Sequence, residues 1–413
     1  MPILLLKQNR DFRNVWLGQT ISYFGDLFYD LAMAWLVFDQ TKSALQSGLV
    51  LIAGFLPEVL FGLFLGAFAD RFNRKRMMQI TDFVRALITG IFAVLIWTGS
   101  FDIWQIYVIT VLMSINQVLF SAAKGAWIPV LVEENQLLTA NSILATSMQM
   151  SRFVGMITGG VVVAWVGPAV SVLFNSLTFL LSALFVQFAK YIPYTQDSVT
   201  NQGNSLWGDV KEGIMWIVNQ RFLFALILIG TISNIALGPT NVLPPMFIQK
   251  ELHANADVLG MFDSAIALGL ILGGFLTGTL SIKRIGLWFV VGLGMEGMGM
   301  ILVSIAPWPL IAYAGNFLLG IGVMVASLPM GTLLQTLTPS HMRGRVNSFS
   351  SILFNMAIPF TYGGIGFLAD SFGARALYAM GGLLLFLCGL IGMGISSMPK
   401  QPKVEEIAQT SHD

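Results

Sequence analysis

Long apolar stretches separated by short polar connections make up most of the chain. A helix needs about 20 mostly apolar residues to cross the hydrocarbon core of a bilayer. Twelve stretches meet this requirement, at 14–38, 45–69, 77–99, 103–123, 139–165, 169–189, 222–247, 257–281, 286–306, 309–334, 348–369 and 376–398. The pattern therefore predicts an all-α membrane protein with twelve transmembrane helices, numbered here as spans 1 to 12.

The composition narrows the class of protein further. The 413 residues are 55% hydrophobic and 10% charged, against about 25% charged residues in soluble domains. This excludes a soluble enzyme, a nucleic-acid binder and a disordered scaffold. A single cysteine, Cys388, and three scattered histidines predict neither a disulfide framework nor a metal site. The sequence contains no nucleotide-binding loop and no catalytic motif, so we expect no ATP, no cofactor and no enzymatic activity.

The positions of the basic residues predict the orientation. With the N-terminus inside, 17 of the 22 lysines and arginines, Lys124 among them, fall in cytoplasmic segments, while Lys42, Lys250 and Arg375 fall outside. Arg85 and Arg152 lie within spans. Cations collect on the cytoplasmic side of membrane proteins. We therefore expect a multi-pass, monomeric protein of a bacterial cell membrane with both termini in the cytoplasm.

A polar stretch divides the chain. Residues 191–220 are predicted as a cytoplasmic linker between an N-terminal half, 1–190, and a C-terminal half, 221–413, of six spans each. After Ser205, a candidate N-cap, apolar residues recur at helical spacing, which favours an amphipathic helix on the membrane surface. A soluble linker helix is the alternative.

The two halves share a weak repeat. Residues 140–143 read Ala-Asn-Ser-Ile and residues 346–349 read Val-Asn-Ser-Phe, 206 positions later. At the same offset Gly160 corresponds to Gly366, and Gly167 to Gly373. A repeat of half the chain predicts duplication with parallel halves, an architecture found in secondary transporters.

A charged loop between spans 2 and 3 carries the most specific motif. Residues 66–76 read Gly-Ala-Phe-Ala-Asp-Arg-Phe-Asn-Arg-Lys-Arg. This loop resembles the hallmark G-x-L-A-D-R-x-G-R-[RK]-[RK] of the major facilitator superfamily, with Asn73, which tolerates left-handed geometry, in place of a glycine. The resemblance implies a latch between the halves on the cytoplasmic side. Its members would be Gly66, Asp70, Arg71 and Arg74, with Arg343 and Arg345 at the start of span 11.

Further segments resemble the drug–proton antiporter branch that includes macrolide and enterobactin exporters. They include Gly18-Gln19, Asp82 with Arg85, and residues 342–346, Met-Arg-Gly-Arg-Val. Two segments depart from that branch: Asn116-Gln117 replace its fourth-span arginine, and residues 155–160 lack its fifth-span proline. The resemblance implies two six-helix halves in which spans 1, 4, 7 and 10 line a central cavity.

Ionisable residues within spans are candidates for function, because an ionised group costs several kcal/mol in a membrane. Asp26, Glu58 and Arg152 lie near mid-depth, and Asp30 follows Asp26 on the same helix face. Poorly hydrated carboxylates this close do not both ionise readily, so one can load and release a proton. We expect these four residues to couple transport to protons; a static pair between Arg152 and one acid is the alternative.

Three other acids in spans are interpreted as structural or hydrated. Asp82 and Arg85 are three residues apart, at the spacing of a structural ion pair. Asp263 lies near the outer surface and is interpreted as hydrated. Glu296 is interpreted as a packing residue of the ninth span.

Aromatic residues and amides on the cavity-lining spans suit a bulky amphipathic substrate. The candidates are Tyr23, Phe28, Asn116, Gln117, Asn234, Asn241 and Asn316. The predicted function is export of hydrophobic or amphipathic small molecules by alternating access, in exchange for protons. The alternatives are a siderophore, lysolipid or metal-ion transporter of the same fold, and a non-transporting membrane sensor.

Overall fold

The computed structural model describes residues 2–69, 72–190, 215, 217–278, 285–338 and 342–396. Twelve of its helices are long and apolar enough to cross a membrane, as the apolar pattern predicts. Span 7 is described below; the other eleven are Arg10–Thr41, Ala44–Ala69, Arg74–Thr98, Ile103–Leu131, Leu137–Val166, Pro168–Phe188, Ala256–Gly278, Ile285–Ile305, Pro309–Leu337, Arg343–Phe372 and Ala374–Ser396. A short helix, Pro2–Gln8, precedes span 1. Most of the predicted linker helix lies outside the described residues; Met215 and residues 217–219, at its end, are helical, and Ile217 is buried.

Span 7 is interrupted. It consists of Arg221–Ala236, the short helices Pro239–Val242 and Pro244–Met246, and a π-helical turn at Phe247–Glu251. Proline has no backbone N–H and clashes with the preceding turn, so Pro239, Pro244 and Pro245 break the regular hydrogen-bond ladder. The sequence predicts hinges at these prolines; the break is present, and a role in gating stays a prediction.

Span 4 is longer than the sequence predicts. It continues to Leu131, so Lys124 lies inside the helix and its assignment to a cytoplasmic connection is wrong. The helix continues because the residues after Lys124 are apolar again, and because the ammonium group has a partner: Lys124 Nζ donates to Tyr23 Oη at 2.7 Å. A hydrogen bond lowers the cost of placing a cation within a spanning helix.

Polar side chains set the start of span 3. Asn73 has extended backbone angles (φ −63°, ψ 112°), and its side chain accepts from the Arg76 amide, so it is an N-cap and not a left-handed residue. Lys75 Nζ donates to the carbonyl oxygens of Gln187 and Ala189 at 2.8 and 2.7 Å. These bonds join the start of span 3 to the end of span 6.

The first six and the last six spans meet at one end of the bundle. It carries the connections that the cation count assigns to the outside, and we call it the outer end. Span 5 packs on span 8, and span 2 packs on span 11. One hydrophobic core runs across both sets of spans there, while a second core around Phe12, Met78 and Trp127 belongs to the first six spans alone. The bundle is therefore closed at its outer end.

Glycines allow these two contacts. A Cβ atom on Gly160 would lie 2.4 Å from Gly260 Cα, and one on Gly366 would lie 2.6 Å from the Ala44 carbonyl oxygen. Both separations are too short for a side chain, so the helix backbones touch directly. Gly160 and Gly366 are equivalent positions in the repeat, and each lies where the two sets of spans meet.

The repeat is also visible in the backbone at the ends of spans 5 and 11. Gly167 has φ 89° and ψ 167°, and Gly373 has φ 81° and ψ 162°. These positive φ values favour glycine. The sequence repeat thus corresponds to a structural one at these positions.

We expect Gly160→Ala to lower the stability of the protein. The added methyl group must displace the Gly260 backbone, and overpacking of this kind costs about 1–3 kcal/mol. Thermal unfolding in detergent measures the effect. Gly125→Ala in span 4 is the matched control, since its Cβ would meet no atom within 4 Å. Equal unfolding temperatures for the two variants would contradict the expectation.

Candidate functional site

A buried ion pair lies inside the first six spans. Arg85 is hydrogen-bonded to the Asp82 carboxylate three residues earlier, and both side chains are almost fully buried. Arg85 Nη1 also donates to Gln117 Oε1 of span 4 at 2.6 Å. The guanidinium group lies 4.5 Å from the Phe120 ring centre and 4.4 Å from that of Phe179. Cation–π contacts and hydrogen bonds offset part of the desolvation cost of this charge.

Asp26 lies beside this ion pair. Its half-buried carboxylate is next to the Asn175 side chain of span 6, and it interacts electrostatically with Arg85, Asp82 and Lys124. Asp26 is therefore one of two acids in a cluster with two cations. It does not lie beside Arg152, so the sequence-based grouping of these two residues is not reproduced among the described contacts.

Arg152 lies beside the face of span 5 that meets span 8. The preceding residues face span 1: Trp16 Nε1 donates to Ser147 Oγ at 2.7 Å, and Ser151 Oγ donates to the Thr20 carbonyl oxygen at 3.3 Å. Arg152 is one residue further on, two helical turns from Gly160 on the adjacent face. Its side chain is exposed, about 12 Å along the helix from Gly160 towards the inner end.

Two acids lie within electrostatic range of the Arg152 guanidinium group. Asp30 of span 1 and Asp263 of span 8 both interact with it electrostatically. Asp263 follows the Gly260 contact by three residues, so this interaction lies directly inside the outer contact between spans 5 and 8. Arg152 thus interacts electrostatically with an acid of its own set of spans and with an acid of the other set.

The Glu58 side chain in span 2 is exposed. It is eleven residues after Ser47, which places both side chains on one helix face, and Ser47 is buried at the closed outer end. Leu56 and Leu60, on the opposite side, are exposed and apolar. We infer that Glu58 lies on the interior side of span 2, away from its lipid side.

The last six spans contribute an uncharged pocket of about 240 Å³. Its wall combines amides and hydroxyl groups with aliphatic and aromatic side chains from spans 7, 8, 10 and 11. The lining residues are Asn234, Leu237, Thr240, Asn241, Ile266, Leu319, Val323, Phe354, Ala357, Ile358, Thr361 and Tyr362. Two predicted cavity residues, Asn234 and Asn241, are among them, and Thr240 and Asn241 belong to the broken part of span 7.

The other predicted cavity residues have different surroundings. Asn316 is buried and donates to the Phe262 carbonyl oxygen at 2.6 Å, so it joins span 10 to span 8. Phe28 is buried against Phe24 and Phe174, with ring centres 5.0 and 4.9 Å apart. Asn116 donates to the carbonyl oxygen of Leu112 in its own helix. Tyr23 and Gln117 belong to the charged cluster described above.

A larger hollow, of about 940 Å³, lies at the inner surface between the N-terminal helix and spans 4 to 6. It includes Asn9, Asp11, Glu133 and Lys190, but none of the mid-span charges. The candidate site therefore comprises the mid-span charges and the uncharged pocket of the last six spans, and not this hollow.

The predicted cytoplasmic latch lies largely beyond what the structure describes. Asp70 and Arg71 are outside the described residues, and only the backbones of Gly66, Arg343 and Arg345 are described, in spans 2 and 11. Arg74 is the first residue of span 3. The latch stays a prediction.

Sequence reasoning missed three residues of the site. The apolar pattern ends span 4 at residue 123 and leaves Lys124 in a cytoplasmic segment, although the apolar run after Lys124 could have extended the span. Asn175 was not singled out, because an amide in an apolar span does not reveal its partner. The sequence predicts a hydrated Asp263 because it lies near the outer surface, and it does not reveal the electrostatic interaction with Arg152, 111 positions away in the other half.

The fold and these buried charges define the chain as a membrane transporter. The model of a transporter family described as transmembrane secretion effector matches residues 6–413. The chain belongs to this family, which is part of the major facilitator superfamily, as the hallmark loop predicts.

Similar proteins cover nearly the whole chain. The uncharacterized MFS-type transporter YvqJ of Bacillus subtilis is 25% identical over 96% of this chain and 94% of its own. Macrolide efflux protein A of Streptococcus pyogenes is 23% identical, over 94% and 96%. The multidrug efflux pump Tap of Mycobacterium bovis is 24% identical, over 91% and 90%.

Solved structures share the fold. A bacterial homologue of the iron transporter ferroportin, in an inward-facing state, superimposes with a TM-score of 0.71 at 18% identity, over 94% of this chain and 99% of that one. A bacterial homologue of the lysosomal transporter Spinster, also inward-facing, has a TM-score of 0.67 at 13% identity, over 95% and 96%. At these identities the likeness concerns the fold alone.

We expect Asp82→Asn to destabilise the protein by about 3 kcal/mol, because removing one member of a buried ion pair leaves the other charge poorly compensated. Thermal unfolding in detergent measures this. Asp39→Asn is the control, since the Asp39–Lys42 pair is exposed and such pairs contribute about 1 kcal/mol or less. Similar losses in both variants would contradict a structural role for the buried pair.

Proposed function

We propose that the protein is a proton-coupled exporter of hydrophobic or amphipathic small molecules that works by alternating access in a bacterial cell membrane, with both termini in the cytoplasm. The observation that carries this proposal is the electrostatic interaction of Arg152 with Asp30 of its own half and with Asp263 of the other half. An interaction between the halves, directly inside the closed outer end, can link protonation to their relative movement.

The coupling follows from this geometry. With the outer end closed, the Arg152 cation stabilises the ionised carboxylates of Asp30 and Asp263. Opening of the outer end separates spans 5 and 8, so Asp263 loses its cation and takes up a proton from the outside. When the outer end closes again, the returning cation favours the ionised form, and the proton leaves towards the inside. One cycle moves a proton inwards while substrate leaves outwards.

Substrate recognition fits the uncharged pocket of the last six spans. Its amides and hydroxyl groups can hydrogen-bond a polar group, while Ile266, Leu319 and Phe354 offer apolar area. At about 240 Å³ it accommodates only part of a bulky molecule. The similarity to proteins named for macrolide and multidrug efflux supports a bulky amphipathic substrate.

Reconstituted protein tests the proposal. Proteoliposomes with an imposed pH gradient receive ethidium or the macrolide erythromycin, and a pH-sensitive dye follows proton movement. We expect proton movement that starts on addition of substrate and is absent in protein-free vesicles. Substrate flux that ignores the pH gradient would contradict proton coupling and favour a siderophore, lysolipid or metal-ion carrier. No flux with any of these compounds would favour a sensor.

We expect Asp26→Asn to abolish efflux driven by the pH gradient. Asp26 interacts electrostatically with Asp30 and is proposed to pass on the proton that enters at Asp263, and an amide cannot load and release a proton. Ethidium efflux from the same proteoliposomes measures the effect. Asp39→Asn, at an exposed acid of the same span, is the control and should transport like the unaltered protein. Gradient-driven efflux at the normal rate in Asp26→Asn would remove this residue from the coupling site and leave Asp30 and Asp263 as the candidates.

A further inference from the structure

An acid of span 11 caps the start of span 2 across the boundary between the two halves. Asp370 Oδ1 accepts from the Ala44 amide at 2.7 Å, and Oδ2 accepts from the Leu45 amide at 3.2 Å. Ser43 Oγ donates to Asp370 Oδ2 at 2.6 Å. Three hydrogen bonds thus join one carboxylate to the N-terminus of a helix in the other half.

This arrangement replaces the cap that a helix ordinarily takes from its own chain. The first amides of a helix have no partner within the helix, and a carboxylate is stabilised there by the helix dipole. Ser43 caps the third amide, since the Gln46 N–H reaches Ser43 Oγ at 3.3 Å. The first two backbone amides of span 2 donate instead to Asp370.

Adjacent residues cross the same boundary. Lys42 Nζ donates to Gln249 Oε1 at 3.1 Å, and Lys250 Nζ donates to the Lys42 carbonyl oxygen at 3.1 Å. The Lys250 ammonium group also lies 5.4 Å from the centre of the Phe38 ring. The connection between spans 1 and 2 is therefore held by spans 7 and 11 together.

The internal repeat separates this contact from ordinary helix packing. At the offset of 206 that relates Gly160 to Gly366, Asp370 corresponds to Ala164 of span 5. Span 5 packs on span 8 without an acid at this position. Close packing at the outer end therefore does not itself require a carboxylate there, and Asp370 adds an interaction specific to the contact between spans 2 and 11.

We propose that Asp370 is a positioning residue for transport, whose bonds to Ser43, Ala44 and Leu45 hold the outer end closed and are broken each time it opens. Asp370 changes the equilibrium between the closed and the open outer end, and it contacts neither the substrate nor the transported proton. This proposal concerns only the movement of the two halves, so it can be tested separately from the proposed proton coupling and the proposed substrate.

Distances between spin labels at the outer end test this proposal. Ser100, between spans 3 and 4, and Trp308, between spans 9 and 10, are exposed and belong to different halves. Both are replaced by cysteine and labelled, with Cys388, which is buried, replaced by serine. Pulsed electron paramagnetic resonance then gives the fractions of closed and open outer ends in proteoliposomes.

We expect Asp370→Ala to raise the ratio of open to closed molecules about tenfold, the equivalent of about 1.4 kcal/mol, within the range for loss of an N-cap. Asp370→Asn and Ser43→Ala should have smaller effects in the same direction, because each keeps part of the hydrogen bonding. Asp102→Ala is the matched control: Asp102 caps span 4 at the same end of the bundle, within its own helix, and its loss should leave the distances unchanged.

Unchanged distances in Asp370→Ala would overturn the proposal, and so would an equal shift in Asp102→Ala. If Asp370→Ala does not give monodisperse protein, Ser43→Ala decides the question, since it removes one of the three bonds and keeps the acid. None of these outcomes depends on proton or substrate flux, so the proposed function can fail while this inference stands, and the reverse.

Discussion

Direct contact between helix backbones at the outer end is the constraint on which the rest of the structure depends. In a bilayer the hydrophobic effect does not draw helices together, so close packing of small residues and interhelical hydrogen bonds must do so. Gly160 against Gly260, and Gly366 against Ala44, bring the two sets of spans close enough for both. The interaction of Arg152 with Asp263 and the cap by Asp370 each lie within a few residues of one of these contacts.

Charge is distributed unequally between the two halves. Asp26, Asp30, Asp82, Arg85 and Lys124 lie in the first six spans, whereas the pocket of the last six spans is lined without any charged residue. Asp263 is the acid that the second half brings to Arg152. In the proposed mechanism, a division of this kind keeps an uncharged substrate group away from the charged cluster, while Arg152 interacts electrostatically with both halves.

The number of spans could be predicted from the sequence, because every helix that crosses a bilayer must be of similar length and mostly apolar. The sequence also predicted the Asp82–Arg85 spacing, which is a local property of one helix. Local rules failed where a partner comes from a distant part of the chain. Lys124 is tolerated in span 4 because it hydrogen-bonds to Tyr23. Asn316 hydrogen-bonds to span 8 and does not line a cavity. Neither partner can be inferred from the adjacent residues in the sequence. The repeat supplied the one long-range clue, since the shared offset led to both glycine contacts.

The glycine contacts also bear on how this protein can evolve. Every substitution at Gly160, Gly260 or Gly366 adds atoms where none fit, so single mutations there can weaken the outer contact but cannot strengthen it. Selection for a faster or slower cycle must then act on neighbouring side chains that can be exchanged gradually. Residues around the uncharged pocket face no such limit, and variation among related sequences should therefore be greatest at this proposed substrate site and least where the halves meet.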